Sequence, residues 1–213
     1  MKVYKIVLSL ALMSAVGSGI VLKASEPERK VAAARRYGGS GRFAKESAGI
    51  KKAGWVRLLK DRTRWTFDHY FASGEDLSGV DLSNLDLSGA VFIGSDLANV
   101  NASNANLEEA SLMSADLTNV ILVGANLTQA DAGGARLTNA NLTGANLSRA
   151  NLEDANLTGA NLTGVDLTGA RFSARTNAQG VIGLTLEQKC YMQQFYVQNI
   201  PWGAGEGPDS CPE

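Results

Sequence analysis

From Leu77 onward a large apolar residue returns every five positions, and this period limits what the chain can fold into more than any other feature. The series runs Leu77, Leu82, Leu87, Phe92, Leu97, Ala102, Leu107, Leu112 and Leu117. It continues through Leu122, Leu127, Ala132, Leu137, Leu142, Leu147, Leu152, Leu157 and Leu162 to Leu167 and Phe172. These are 20 units, since (172 − 77)/5 + 1 = 20, with no insertion or deletion. An α-helix repeats every 3.6 residues and a strand every 2.0, so neither element accounts for a period of five.

Within each unit the residue two before the centre is small, Ala in 13 of 20 cases and Val in four. Strand alternation puts that residue and the centre on one face. Asp or Asn stands between them in 15 of 20 units, and Ser, Thr, Gly or Asn tend to follow the centre. Those followers are turn formers. Each unit therefore reads as a short extended side and a corner, and sides repeated in register build a coil whose backbones stack about 4.8 Å apart. The centres form an inward ladder of large side chains beside a second ladder of small ones, as a narrow bore requires. This is an all-β solenoid.

Runs such as Ala140-Asn141-Leu142-Thr143-Gly144 and Ala155-Asn156-Leu157-Thr158-Gly159 resemble the pentapeptide-repeat family, whose consensus is A(D/N)LXX. The resemblance spans 75–174. It implies a right-handed quadrilateral β-helix with four repeats per coil, hence about five coils, with short helical caps. Such a rod is roughly 24 Å long at the sheet spacing. Ala102 and Ala132 depart from the consensus, and truncating a buried Leu to Ala costs about 2–5 kcal/mol where neighbours do not collapse. Loosening, or a neighbour filling the gap, is expected there. Phe92 and Phe172 fall on the same side of the first and last coils, placed to plug the two ends. Glu75 at an inward position is expected to leave the first unit open to solvent.

The flanks differ in charge from the repeats. Residues 1–74 carry 15 Lys/Arg against 5 Asp/Glu, whereas 75–174 carry 3 against 12. Lys2 and Lys5 precede an apolar run over 6–22, so 1–24 reads as a signal peptide or an N-terminal anchor. Residues 25–49 read as a flexible basic linker. In 50–74, aromatics such as Trp55, Trp65 and Phe71 are interleaved with Lys51, Arg57 and Arg64, which predicts an N-terminal helical cap. The basic 50–72 stretch and 1–24 are also the candidates for membrane contact. In the tail, 175–213, Thr185-Leu186-Glu187-Gln188 forms a capping box that opens a predicted helix over 186–198, stopped by Pro201. The helix is expected to cap the last coil with Tyr191 and Phe195 on one face. Cys190 and Cys211 are the two cysteines of the chain, and in an exported protein an even pair reads as a disulfide.

No catalytic, cofactor-binding or metal site is predicted. His69 is the single histidine, too few for a zinc cluster or a two-His metal site. The glycines follow the corner rhythm instead of clustering before a helix. Asp76, Asp81 and Asp86, like the Asn-x-Ser/Thr sequons, are products of the repeat. The expected role is a non-catalytic interaction module with a protein partner, binding no nucleic acid. The resemblance lies with exported proteins of cyanobacteria and thylakoid lumens, which places the chain in the periplasm or the thylakoid lumen. The competing expectation is an acidic rod that mimics DNA and binds a type II topoisomerase. The leader and the run of Asn at 141, 146, 151, 156 and 161 count against it.

Overall fold

The computed structural model describes residues 72–211, all within one compact unit. The readings of 1–24, of 25–49 and of nearly all of 50–74 lie outside the described residues.

Parallel bridges join each residue before a centre to the one twenty positions later, from Asp76–Asp96 without a break to Asn151–Arg171. Five residues per side and twenty per turn make four sides. The first face holds the centres Leu77, Leu97, Leu117, Leu137 and Leu157, and the second holds Leu82, Ala102, Leu122, Leu142 and Leu162. The third holds Leu87, Leu107, Leu127, Leu147 and Leu167, and the fourth Phe92, Leu112, Ala132, Leu152 and Phe172.

The repeat Asp96-Leu97-Ala98-Asn99-Val100 shows why five residues suffice. The amides of Leu97 and Asn99 donate to the carbonyls of Asp116 and Thr118 in the next coil, at 2.7 and 2.9 Å. The amide of Asp96 donates to Glu75 of the coil before at 2.9 Å, and that of Val100 closes the turn on Leu97 at 3.2 Å. Only the amide of Ala98 lacks a backbone partner, and it donates to Asp96 Oδ1 at 3.0 Å. Buried backbone groups must be paired, so the Asp or Asn of the consensus supplies the one acceptor that the coil lacks. The third turn residue is left-handed in every repeat from Gly79 to Gly169, the position that a type II turn imposes. Asn99 (φ 58) and even Arg149 (φ 59) accept that conformation.

The centres and the small residues fill the bore, each Leu centre between 0 and 4 % exposed. Burying a Leu contributes about 1.5–3 kcal/mol, so the ladder is the main source of stability. A cavity of about 10 Å³ stands in the bore at the level of Ala102, with Phe92, Val100 and Val120 among its lining residues. Glu75 is half-buried, and Ser95, which replaces an Ala, is buried with its hydroxyl donating to the carbonyl of Ala72 at 2.6 Å.

The ladder runs past residue 174. Asn156 pairs with Asn177 and Asn161 with Ile182, a register of 21, so one residue is inserted after Phe172. The insertion is held by hydrogen bonds. Ser173 Oγ donates to Asp154 Oδ1 at 2.6 Å, and Arg175 pairs with the same carboxylate at 2.6 Å. Thr176 takes the small-residue slot, fully buried, its hydroxyl donating to the Leu152 carbonyl at 2.9 Å. The inserted residue breaks the five-residue count, which is why the array looks finished at 174 in sequence.

The helix α1 spans Leu186–Gln193 and opens on the capping box of Thr185 and Gln188. It stops short of the expected 198 because Tyr196 turns left-handed (φ 57) and Gln198 rejoins the ladder beside Asn177. Tyr191 and Phe195 close on Phe172, ring centroids 6.4 and 5.9 Å away. A short 3-10 turn, Pro208–Ser210, leads to Cys211.

Candidate interaction faces

What the fold offers a partner is the outside of the coils. In at least eight of the twenty repeats the Asp or Asn oxygen that receives the backbone amide also receives the following Ser or Thr hydroxyl. Thr118 Oγ1 donates to Asp116 at 2.6 Å, and Thr128, Thr158 and Thr163 donate to Asn126, Asn156 and Asn161 at the same distance. Asn also has an amide to donate along the stack, and Asn106 and Asn126 each do so to the residue one coil earlier at 3.0 Å. Two carboxylates stacked at that spacing would repel, so Asn is the residue that can repeat down a column. Where acidic residues do stack, on the first face at Asp96 and Asp116, Arg136 follows and donates to Asp116 at 3.2 Å.

Charge is unevenly spread along the coils. The first three turns, 75–134, contain nine acidic residues and no Lys or Arg, whereas 135–174 contain three of each sign. Several carboxyls are held below the ordinary range by donors. The Thr118 hydroxyl does this for Asp116, aided by the Thr118 amide and Arg136, and the Thr168 hydroxyl and amide do it for Asp166. Ser173 and then Arg175 lower Asp154, and Lys189 and the Gly203 amide lower Glu206. The outward large apolar residues are few: Val91, Ile93 and Met113 on the fourth face, Ile121, Val123 and Ile182 on the second, and Leu186 and Tyr196 in the tail. Among the described residues no His, Cys, Asp and Glu group is arranged for a metal ion, and no helix is long and apolar enough to cross a membrane.

The ladder residues read from the sequence, from Leu77 to Phe172, all stand in the bore. Cys190 on α1 and Cys211 are bonded, S–S 2.12 Å, which ties the tail across the helix. Lys189, buried beside them, donates to Glu206 at 2.5 Å. Sequence reasoning missed the carbonyl partners at the last coil. Gln188 Nε2 donates to Val165 at 2.7 Å, Tyr191 Oη to Ala170 at 2.8 Å and Gln198 Nε2 to Ala174 at 2.8 Å. No motif marks such residues; their need follows only from carbonyls that have no further coil to receive.

A family model described as pentapeptide repeats (8 copies) matches residues 76–112, 110–148 and 135–173. Among solved structures the chain is similar to a pentapeptide-repeat protein, Rfr23, from the cyanobacterium Cyanothece 51142. The identity is 31 % over 51 % of this chain and 84 % of that one, with a TM-score of 0.44. It is similar also to a pentapeptide-repeat protein of the Arabidopsis thaliana thylakoid lumen, at 28 % identity over 64 % of this chain and 86 % of that one, TM-score 0.27. A third is QnrB1, a plasmid-mediated fluoroquinolone resistance protein, at 27 % identity over 60 % and 74 %, TM-score 0.24. No curated protein matches the chain. Proteins built from these repeats fold as right-handed quadrilateral β-helices and are generally structural or interaction proteins instead of enzymes. On its repeat code and the matching family model, the chain belongs to the pentapeptide-repeat family.

Proposed function

We propose that the chain is a non-catalytic, exported interaction module that presents the flat faces of its coils to a large protein partner. The observation that carries this reading is the amide accounting. The backbone and the Asp/Asn column satisfy each other inside the wall, so the outward side chains other than that column can vary at little cost to the fold. In this reading five four-sided coils form the rod, α1 and its disulfide-tied tail close one end, and residues 50–74 cap the other. Export to a periplasm or thylakoid lumen is supported by the leader-like 1–24 and by the Cys190–Cys211 bond, which persists in oxidising compartments. Residues 1–24 serve as a cleaved signal or as a retained anchor, and 50–72 supplies any further contact with a membrane.

A second reading, a DNA-like acidic rod that binds a type II topoisomerase, is favoured by the nine acidic residues of the first three turns, 75–134, a stretch that contains no Lys or Arg. Thiol trapping separates the two. Cells of the native host are quenched in acid and alkylated, and the tail is mapped without reduction. A linked Cys190–Cys211 peptide is expected. Alkylated, unlinked cysteines would overturn export, and binding to gyrase would then decide the second reading.

A further inference from the structure

The chain leaves the ladder after Asn199, and up to that residue each element is fastened to the coils. Gln188 and Tyr191 hold α1 to the carbonyls of Val165 and Ala170. Gln198 exchanges backbone hydrogen bonds with Thr176 and Ala178, and Asn199 Nδ2 donates to Asn177 Oδ1 at 2.9 Å. Ile200 is the last buried residue, and from 201 to 211 every residue is half-buried or exposed. The hydrogen bonds of this final stretch close small turns of its own. Glu206 donates its amide to Gly203 at 3.0 Å, Ser210 to Gly207 at 2.9 Å and Cys211 to Pro208 at 3.2 Å.

Among the described residues, one covalent bond and one ion pair join this strap to the rest, and both end on consecutive positions of α1. The covalent bond is Cys190–Cys211. The ion pair is Lys189 Nζ donating to Glu206 Oε2 at 2.5 Å, with the carboxylate steadied by the Gly203 amide at 2.8 Å. The Lys189 side chain is only 9 % exposed, whereas that of Glu206 is 33 % exposed. A lysine is seldom buried unless paired, and here the partner comes from the strap. Such a pair, open to water on one side, stabilises little. Ordering a stretch that contains Gly203, Gly205 and Gly207 costs considerable chain entropy. With no buried side chain to offset that cost, the disulfide decides whether the strap stays on α1.

We propose that Cys190–Cys211 is a redox latch. Its reduction by a dithiol releases 201–211 and brings the Lys189 ammonium into solvent, while α1 and the coils stay folded. A thiolate of the dithiol attacks Sγ of Cys211, the less buried of the two, and a mixed disulfide forms. The Cys190 sulfur leaves as a thiolate and takes up a proton. The second thiol of the reductant then attacks the mixed disulfide, which frees Cys211 as a thiol and leaves the reductant as a disulfide. Two electrons thus pass from the dithiol to the cystine. A partner that brings a carboxylate to this end of the molecule meets an accessible cation only in the reduced form. The latch does not rest on export, since thiol trapping reads which state cells hold and not how the two states differ.

Hydrogen exchange and amine labelling of the purified full chain test the latch, each read by mass spectrometry. The oxidised protein is compared with the same protein in dithiothreitol, a small dithiol, and with a C211S variant. Lys189 is the single lysine of 72–211, so its acylation is mapped without ambiguity. In both reduced forms Lys189 should acylate faster by on the order of tenfold, and peptides of 201–211 should lose protection. Peptides of 77–172 should exchange as before. Unchanged labelling and exchange on reduction would overturn the proposal, because the strap would then hold without its bond. Loss of protection through the coils would also overturn it, making the disulfide a staple of the whole fold. Rapid acylation of Lys189 in the oxidised protein would do the same, since nothing would then be covered.

Discussion

The hydroxyl of Tyr191 donates to the carbonyl of Ala170 at 2.8 Å, the place where each earlier small-residue carbonyl receives an amide from the coil above. Gln188 does the same for Val165. Two side chains of α1 thus substitute for a coil that does not exist, while Phe172 is covered by the rings of Tyr191 and Phe195. Y191F keeps the ring and removes the donor. It should cost about 1–2 kcal/mol, the penalty for an unpaired carbonyl, and F172A about 3–5 kcal/mol. Urea unfolding of the full chain, followed by far-UV circular dichroism, measures both. Y191F without effect would mean that water replaces the hydroxyl.

Asn126 tests the column. It accepts the amide and hydroxyl of Thr128 at 3.1 and 2.6 Å and donates to Asn106 at 3.0 Å. N126A strands an amide in the wall and should lower stability by about 1–3 kcal/mol. N126D keeps the acceptor but loses the donation, so its cost should be smaller. A larger loss for N126D than for N126A would show that a charge placed in the column costs more than the unpaired amide.

At Gly183 the backbone has φ 84, and an added Cβ would come within 2.5 Å of the Thr163 backbone. G183A should therefore cost at least about 2 kcal/mol, from the left-handed backbone and the clash together. By contrast Gln129 holds φ 59 with a full side chain, and Q129G should be stabilising by about 0.5–1 kcal/mol, since the left-handed penalty exceeds the entropy that glycine adds. Thermal melts of the two variants should move in opposite directions.

Acid should destabilise the fold over a defined pH range. Asp116, Asp154 and Asp166 titrate below the ordinary 3.8 and Glu206 below 4.5. A carboxyl whose folded value is depressed binds fewer protons in the native state. Its contribution is complete above the unfolded value and disappears as the pH falls through the folded one. The melting temperature should be flat above about pH 5 and fall below about pH 4. D166N, which keeps the acceptor for Thr168 without a titrating group, should make that fall shallower. A melting temperature unchanged to pH 3 would contradict this.

Much of this architecture is written in the sequence, because a strict period constrains inward and outward positions without reference to distant residues. The bore from Leu77 to Phe172 and the capping box at Thr185 belong to that kind. The left-handed corner was hidden, since Glu109, Gln129 and Arg149 adopt it without any local sign. The 21-residue last turn was hidden as well. One inserted residue near Ser173 destroys the count, and Thr176 looks like a surface residue until its hydroxyl is seen bonded to Leu152. The end of α1 depended on Gln198 finding Asn177, a contact between distant parts of the chain. The partners of the charged and apolar outer residues follow no period.

The threonine hydroxyls of the outer columns donate inward, to the Asp or Asn of their own repeat. A surface that composition would call hydrophilic has therefore already spent most of these protons. What it offers to water is methyl groups and spare lone pairs, and its hydration shell is correspondingly easy to strip. A flat partner gains by matching contour against these columns, with little to gain from accepting hydrogen bonds, and discrimination passes to the scattered positions where the repeat code lapses.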